Sequence, residues 1–318
     1  MRELSVQPEM DRLTDSPTAE SPDRWAEWLR SRRDGGDMRV REASFLELAA
    51  CRDLVLAGAH LSRGEHLLDV GTGEGLIGFG ALDIVGETGH ITFSDVSQEL
   101  LDLCRTAAAE MGVLDRCSFV RASADAISAV ADATVDAVTT RSVLIYVAAK
   151  DRAFAEFFRV LRAGGRISLF EPINRHLFPE LASEFMGYDA TGVEDLVARP
   201  RNESCGAKPE SDPTTSMMDF DDGTLVKLAE AAGFVDIEVV LRRQVRDETV
   251  PMTWESFLAS APNPLVPTWG ELVTALLSDE ERERLAAHMK PRVDAGRRRR
   301  RLAIATVTAV KRGSQTRA

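Results

Sequence analysis

Apolar residues recur in two rhythms along this chain, and their alternation predicts the architecture. Short runs such as Leu67-Leu68-Asp69-Val70, Ile91-Thr92-Phe93 and Val135-Asp136-Ala137-Val138 have the length and composition of strands. Between them lie stretches with apolar residues three and four apart: Leu100, Cys104, Ala107, Ala108 and Met111, then Ala153, Phe154, Phe157, Val160 and Leu161. That spacing gathers apolar groups on one face of a helix. Strands alternating with helices predict a sheet covered on both faces, an α/β fold.

Turn and cap residues set the expected bounds. Ser21-Pro22-Asp23 offers a helix start, with Trp25, Trp28 and Leu29 on one face and Gly35-Gly36 as the stop. A second helix is expected over 42–60, a third from the glycines after residue 70 to about Ile84, and a fourth capped by Ser97 and stopped by Gly112. Strands are expected at 91–95, 117–121, 135–141 and 166–172. The helix over 150–161 is closed by Gly164-Gly165. Asp221 or Asp222 caps a helix through Ala232, and a strand follows over 235–239. The last stretch, 302–310, is apolar or small on both faces, as suits a strand covered on both sides.

These elements divide the chain. Residues 1–20 mix Pro, Ser, Thr and acids without periodicity and are expected to be disordered. Residues 21–60 form a helical cap in which Trp25 and Trp28 are expected to pack rather than to contact substrate. Residues 61–318 form the core, interrupted at 174–220 and 251–296. The first interruption carries Phe178, Leu181, Phe185, Met186 and Tyr188, and the second Trp254, Phe257, Leu258, Leu265 and Trp269. They either form a lid, thicken the core or make a homodimer contact.

Composition narrows the function. The 318 residues carry 39 Lys plus Arg against 51 Asp plus Glu, a formal net charge of −12. Such acidity argues against a nucleic-acid partner, which needs positive charge to displace phosphate counterions. The four cysteines form no Cys-x-x-Cys pair and the five histidines no His-x-x-x-His pair, so no metal is expected. No apolar run reaches eighteen residues, and the N-terminal residues lack the apolar core of a signal peptide, so no membrane partner and a cytoplasmic location are expected. The five arginines at 297–301 read as a solvated turn beside acids, with a grip on an anionic acceptor or an acidic partner as the alternative.

The stretch that carries chemistry is Asp69-Val70-Gly71-Thr72-Gly73-Glu74-Gly75. Glycines at this spacing let the backbone take positive φ and approach a ligand that side chains would repel. The amides at the following helix N-terminus can receive an anion or a carboxylate. No Lys-Ser or Lys-Thr follows, which excludes a P-loop, and Gly-x-Gly-x-x-Gly is not met cleanly. The Asp-x-Gly-x-Gly-x-Gly pattern resembles motif I of the class I S-adenosylmethionine-dependent methyltransferases. Asp95 at the end of the second strand, Asp125 after the third, and Arg162-Ala163-Gly164-Gly165 before the fifth follow in the family's order. The resemblance spans roughly residues 61–171.

The resemblance implies a Rossmann-like, mostly parallel seven-stranded sheet whose last strand is antiparallel, between the fifth and sixth. It implies S-adenosylmethionine as cofactor and S-adenosylhomocysteine as product. Asp69, Gly71, Thr72, Gly73 and Gly75 then belong to the methionine end, Asp95 to the ribose, Val96 to the adenine face, and Ala124 and Asp125 to the adenine edge. Arg141 offers its backbone carbonyl to the methionine ammonium. Tyr146, Glu171 and His176 fall near the expected acceptor side, and no catalytic base is assigned. Glu171 could equally be a buried acid bonded to backbone amides.

Absences narrow the acceptor. Thr140-Arg141-Ser142-Val143 is not the Asn- or Asp-Pro-Pro-aromatic motif of amino-methylating nucleic-acid enzymes. Cys104 and Cys117 are badly placed for arsenite. A small, partly apolar organic acceptor remains. A nicotinamide-dependent oxidoreductase, or a protein that binds S-adenosylmethionine without transferring its methyl group, stands as the alternative.

Overall fold

In the computed structural model, residues 23–177, 180–205, 215–250 and 252–313 are described. The expected disordered tail, the helix-start residues Ser21 and Pro22, Phe178 and the polar stretch 206–214 lie outside them.

The chain opens with a short helix α1 (Arg24–Glu27) that passes into a π-helical turn, Trp28–Arg32, and then into helix α2 (Met38–Ala59). Asp23 caps α1 through the amides of Trp25 and Ala26. The alternating core follows as β1 (His66–Val70), α3 (Leu76–Val85), β2 (His90–Asp95), α4 (Gln98–Glu110), β3 (Cys117–Arg121), β4 (Val135–Arg141), α5 (Lys150–Val160) and β5 (Leu161–Pro172). The first insertion contributes a small hairpin, β6 (Glu184–Phe185) and β7 (Tyr188–Asp189), and helix α6 (Glu194–Cys205). Then come α7 (Asp222–Ala232), β8 (Phe234–Thr249), α8 (Trp254–Ala259), α9 (Trp269–Leu276), α10 (Asp279–Asp294) and β9 (Arg297–Lys311).

The sheet order is β3-β2-β1-β4-β5-β9-β8. The first five strands are parallel, and β9 runs antiparallel to both β5 and β8. This is the predicted arrangement, with the last strand inserted between the fifth and sixth strands of the core. One face is covered by α5 and α7, where Phe154, Phe157 and Leu225 meet Leu68, Val138, Ile167 and Val307. The other is covered by α2, α3 and α4, where Val55, Ile77 and Leu101 meet Leu67, Ile91 and Phe93. Among the described residues, no helix is long and apolar enough to cross a membrane.

Two sequence expectations are corrected. The Gly164-Gly165 pair does not precede β5 but lies inside it: α5 stops at Val160, Leu161 is already extended, and a register shift against β4 absorbs the glycines. The Arg297–Arg301 run is not a turn but the first third of β9. Across the ladder stand acids: Arg298 pairs with Glu248 at 2.7 Å and Arg299 with Asp247 at 3.3 Å. Arg300 reaches Glu47 on α2 at 2.5 Å, and Arg301 pairs with Glu184. With four of its guanidiniums so neutralised, a run of like charges can continue as strand.

The two insertions share a hydrophobic cluster of their own. Phe185, Tyr188, Leu196 and Val197 of the first pack with Trp254, Phe257, Trp269 and Leu285 of the second. The Phe257 and Trp269 rings stack, and Phe185 meets Trp269 edge-on at 4.8 Å.

Candidate cofactor and acceptor site

At the carboxyl ends of the parallel strands the chain crosses over between β1 and β4, where an open α/β sheet leaves a crevice. A cavity of about 650 Å³ occupies it. That is within the roughly 300–1,000 Å³ of small-molecule sites.

Its floor is the glycine turn. Gly71 and Gly73 sit at φ +64° and +56°, and a Cβ on Gly71 would come within 2.3 Å of Val143 Cγ2. Beneath the turn, Asp69 is wholly engaged inside the fold. Its Oδ2 accepts from the Thr72 hydroxyl at 2.6 Å and from the Gly78 amide at 3.2 Å, and its Oδ1 accepts from the Thr139 hydroxyl at 2.9 Å. Burial pushes its carboxyl up to about 6, against the pull of those three bonds. Asp69 therefore shapes the turn and the start of α3 from below.

Asp95 closes the cavity on the β2 side. Its Oδ2 accepts from the Gly73 amide at 2.9 Å and its Oδ1 from the Ser97 amide at 3.0 Å. Each oxygen keeps a lone pair, since an ionised carboxylate accepts about four bonds. Ser97 itself caps α4 through the Leu100 amide, so the cap falls where the sequence puts it. Val96, Ser123 and Ala124 line the same end.

The opposite wall is aromatic and apolar, with Trp25, Trp28, Phe45, Tyr146, Met217 and Pro262. Trp25 and Tyr146 meet edge-on at 4.9 Å. Trp28 donates from Nε1 to the Ala261 carbonyl at 2.9 Å, and Ala261 donates its amide to Arg32 at 2.7 Å. The N-terminal helix and the second insertion thus close over the strand ends together. Both tryptophans face the cavity as well as packing, which corrects the expectation of packing alone.

Of the residues singled out from sequence, Asp69, Gly71, Thr72, Gly73, Asp95, Val96, Ala124, Arg141 and Tyr146 line this one cavity. Gly75 does not, but at φ +82° it is the N-cap of α3 and sets the direction of that helix. Asp125 stands one step back, bonded to the Ser123 hydroxyl and paired with Arg152 at 3.3 Å. His176 is elsewhere, beside Asp222 at 3.1 Å and against a different depression.

Glu171 also leaves the acceptor side. It is fully buried and accepts from the Thr140 hydroxyl at 2.7 Å and from the amides of Val143 and Leu144 at 3.0 Å. These bonds hold the segment after β4, in which Ser142 takes a left-handed φ of +58°. Left-handed backbone is strained for a residue other than glycine and persists where its surroundings over-determine it. The segment Ser142–Val147, which the sequence places as the floor between cofactor and acceptor, lines the cavity through Ser142, Val143, Ile145, Tyr146 and Val147. The sequence reading did not find Arg33, Met217 and Pro262 there. They come from three separate segments, and none sits in a pattern that a linear reading separates from an ordinary surface or turn position.

The residues at the glycine turn fit an adenosyl amino acid. Backbone closeness at Gly71 and Gly73, the head of α3 at Leu76 and Ile77 lining the cavity, and a carboxylate with spare lone pairs at Asp95 are the donor and acceptor set it needs.

Comparison with known proteins agrees. Residues 67–165 match the family described as a methyltransferase domain. The chain is 29% identical over 170 residues to the ubiquinone/menaquinone biosynthesis C-methyltransferase UbiE of Escherichia coli, which covers 49% of this chain. The match spans 65% of that relative's length, just under two thirds. Among solved structures, the YcgJ protein of Bacillus subtilis superposes over 83% of this chain and 99% of its own, with a TM-score of 0.51 at 13% identity. The methyltransferase-like protein BH2331 of Bacillus halodurans gives the same coverage and score at 17% identity. At such identities the likeness is one of fold. The glycine turn and the strand order agree with the family match: residues 67–165 carry a methyltransferase domain.

Proposed function

We propose that this protein transfers the methyl group of S-adenosylmethionine to a small, partly apolar organic acceptor. The observation that carries the reading is one cavity of about 650 Å³ running from the glycine turn and Asp95 to the Trp25, Trp28, Phe45 and Tyr146 wall. The relative named for C-methylation in ubiquinone and menaquinone biosynthesis supports an organic acceptor. The net charge of −12 supports one other than a nucleic acid, and we read the protein as cytoplasmic.

When bound, the cofactor supplies a methyl group on a sulfonium that needs no further activation. The chain has to hold, align and keep dry. The Gly71–Gly73 turn and the head of α3 receive the methionine end, fixed from below by Asp69. Arg141 offers its carbonyl to the ammonium. Asp95 accepts the ribose hydroxyls, Val96 covers the adenine, and Ala124 and Ser123, backed by Asp125, meet its edge. Alignment in a closed site supplies most of what an in-line transfer requires.

Tyr146 is the one side chain of the predicted acceptor set at the cavity. Burial pushes its hydroxyl above the ordinary tyrosine value, so at neutral pH it donates a hydrogen bond and does not act as a base. The two insertions and the helical cap are assigned as the lid over the acceptor end.

Calorimetric titration of the purified chain with S-adenosylmethionine, S-adenosylhomocysteine and NADH tests the reading. Micromolar binding of both adenosyl ligands and no NADH heat is expected. Binding of NADH instead, or of none of the three, would overturn it.

A further inference from the structure

Two cationic side chains at the cavity are left without partners. Arg33 follows the π-helical turn, Arg141 ends β4, and both line the cavity. Among the described residues, neither guanidinium makes a hydrogen bond or an ion pair. Their neighbours are treated differently: Arg30 pairs with Glu99, Arg32 approaches Glu271, Arg39 pairs with Asp37 and Arg41 with Asp34.

The two unpaired arginines line the same cavity and lie within electrostatic range of each other. Burial, and then the charge of Arg141, hold Arg33 below the ordinary arginine value, with Glu74 and Asp34 pulling the other way. Neither acid is a true partner. Asp34 spends its oxygens on Arg41 and on the Gly36 amide, and Glu74 is exposed on the glycine turn. Arg33 also leans on the Trp28 ring, 5.9 Å from its centroid. Arginine does not lose its charge in proteins, so two half-buried guanidiniums in one cavity remain unfavourable until an anion arrives. Their planar forks match an oxyanion and bind it bidentately.

We propose that Arg33 and Arg141 form an anion clamp for the methyl acceptor, which is therefore a small acid: a partly apolar molecule bearing a carboxylate or a phosphate. The proposal rests on the methyltransferase reading and narrows its substrate class. The clamp is assigned to the acceptor end because Arg33 lies against the Trp28 ring on the aromatic wall of the cavity, and Arg141 is within electrostatic reach of Tyr146 on the same wall. The cofactor's own carboxylate has the amides at the head of α3. An apolar wall beside a cationic pair selects an amphiphilic acid over a neutral molecule of the same shape.

Fluorescence of the full chain, whose Trp25 and Trp28 line the cavity, tests this in titrations with benzoate, phenyl phosphate and benzyl alcohol. Each titration is run with and without saturating S-adenosylhomocysteine. At least one of the two anions is expected to bind ten-fold or more tightly than benzyl alcohol, and which one does identifies carboxylate or phosphate. The preference is expected to collapse about ten-fold in Arg33→Gln and in Arg141→Gln, and to return in part in the lysine variants. Equal binding of the anions and the alcohol would overturn the proposal. So would variants that weaken S-adenosylhomocysteine but not 5′-methylthioadenosine, which lacks the amino-acid carboxylate, because the arginines would then serve the cofactor. Anion preference in a chain that binds no adenosyl ligand would sink the methyltransferase reading and leave the clamp standing. Variants that no longer unfold cooperatively are replaced by Arg→Lys, which keeps the charge and tests the fork alone.

Discussion

Gly73 donates its amide to Asp95 Oδ2 at 2.9 Å across 22 residues of sequence, while Oδ1 receives the Ser97 amide at 3.0 Å. One carboxylate thus fastens the glycine turn to the head of α4 and still faces the cavity. Asp95→Asn keeps one acceptor oxygen but removes the charge. Hydrogen bonds to charged groups contribute about 1.5–3 kcal/mol, so S-adenosylhomocysteine should bind roughly 10–100-fold more weakly, and the loss of one of the two backbone amide bonds should lower the stability of the chain by about 1–3 kcal/mol. Calorimetric titration of the variant checks this. Unaltered affinity would remove Asp95 from the ribose role.

Gly71 tests the turn itself. Alanine there must adopt φ +64° and place its Cβ 2.3 Å from Val143 Cγ2. The backbone cost is about 1–2 kcal/mol and the overlap about 1–3 kcal/mol more. Val143→Ala added to Gly71→Ala should recover the overlap part and leave the backbone part. Denaturant titration of the single and double variants separates the two. A Gly71→Ala protein as stable as the parent would mean that the turn relaxes freely.

Glu171 makes a prediction about pH. Burial lifts its carboxyl to about 7 from an ordinary 4.5, and the bonds from Thr140, Val143 and Leu144 oppose that rise only in part. Between those values the folded chain holds a proton that the unfolded chain has lost, so this group's contribution to stability falls as pH rises from 4.5 through 7. In Glu171→Gln that contribution is absent. The stability difference between variant and parent should therefore change on the order of 3 kcal/mol across the window, in favour of the variant at high pH. Thermal unfolding of both proteins at half-unit steps measures it. Parallel curves would show that the carboxyl titrates at its ordinary value.

The framework was legible because its signals are local. Strand bounds at 117–121 and 135–141 are met to the residue, since short apolar runs between glycine and polar turns leave little freedom. The cofactor end was legible for the same reason: Asp69, the glycines and Asp95 lie where strand, turn and helix follow directly in sequence. The acceptor end was not. Of Tyr146, Glu171 and His176, expected there, only Tyr146 is found at it; Trp25, Arg33, Met217 and Pro262 join it from segments up to 237 residues apart, and the contacts that bring them together are tertiary. Glu171 left two readings open from its place at a strand's carboxyl end, and of these the structure has the buried acid bonded to backbone amides, holding three neighbouring groups. The Arg297–Arg301 run misled by composition, since its counter-charges at Glu47, Glu184, Asp247 and Glu248 are remote in sequence.

Trp28 links the cap to the second insertion through its Nε1 bond to Ala261. Trp28→Phe preserves most of the ring packing and removes only the donor. The direct loss is about 1 kcal/mol. Hydrogen exchange should then quicken at the amide of Ala261, which is bonded to Arg32, with little change in the sheet. Uniform protection in both proteins would deny that this bond holds the two segments together.

Glu248 carries the balance of the arginine strand. It pairs with Arg298 at 2.7 Å and with Arg300 at 3.5 Å, and its side chain is only 13% exposed. Arg300 keeps Glu47 when Glu248 is lost, but among the described residues Arg298 has no second acid to pair with. Exposed pairs contribute about 0–1 kcal/mol and buried ones lose about 3–5 kcal/mol when one partner is removed; this pair lies between them. Glu248→Gln should therefore destabilise the chain by about 1–3 kcal/mol. Much of the repulsion among adjacent arginines that it uncovers should fade in 1 M salt, where screening acts over about 3 Å. Adding Arg298→Gln should restore part of the loss at low salt and little at high salt. Denaturant midpoints at the two ionic strengths decide it: a loss that salt leaves untouched would assign the effect of Glu248 to packing and hydrogen bonding, and not to charge.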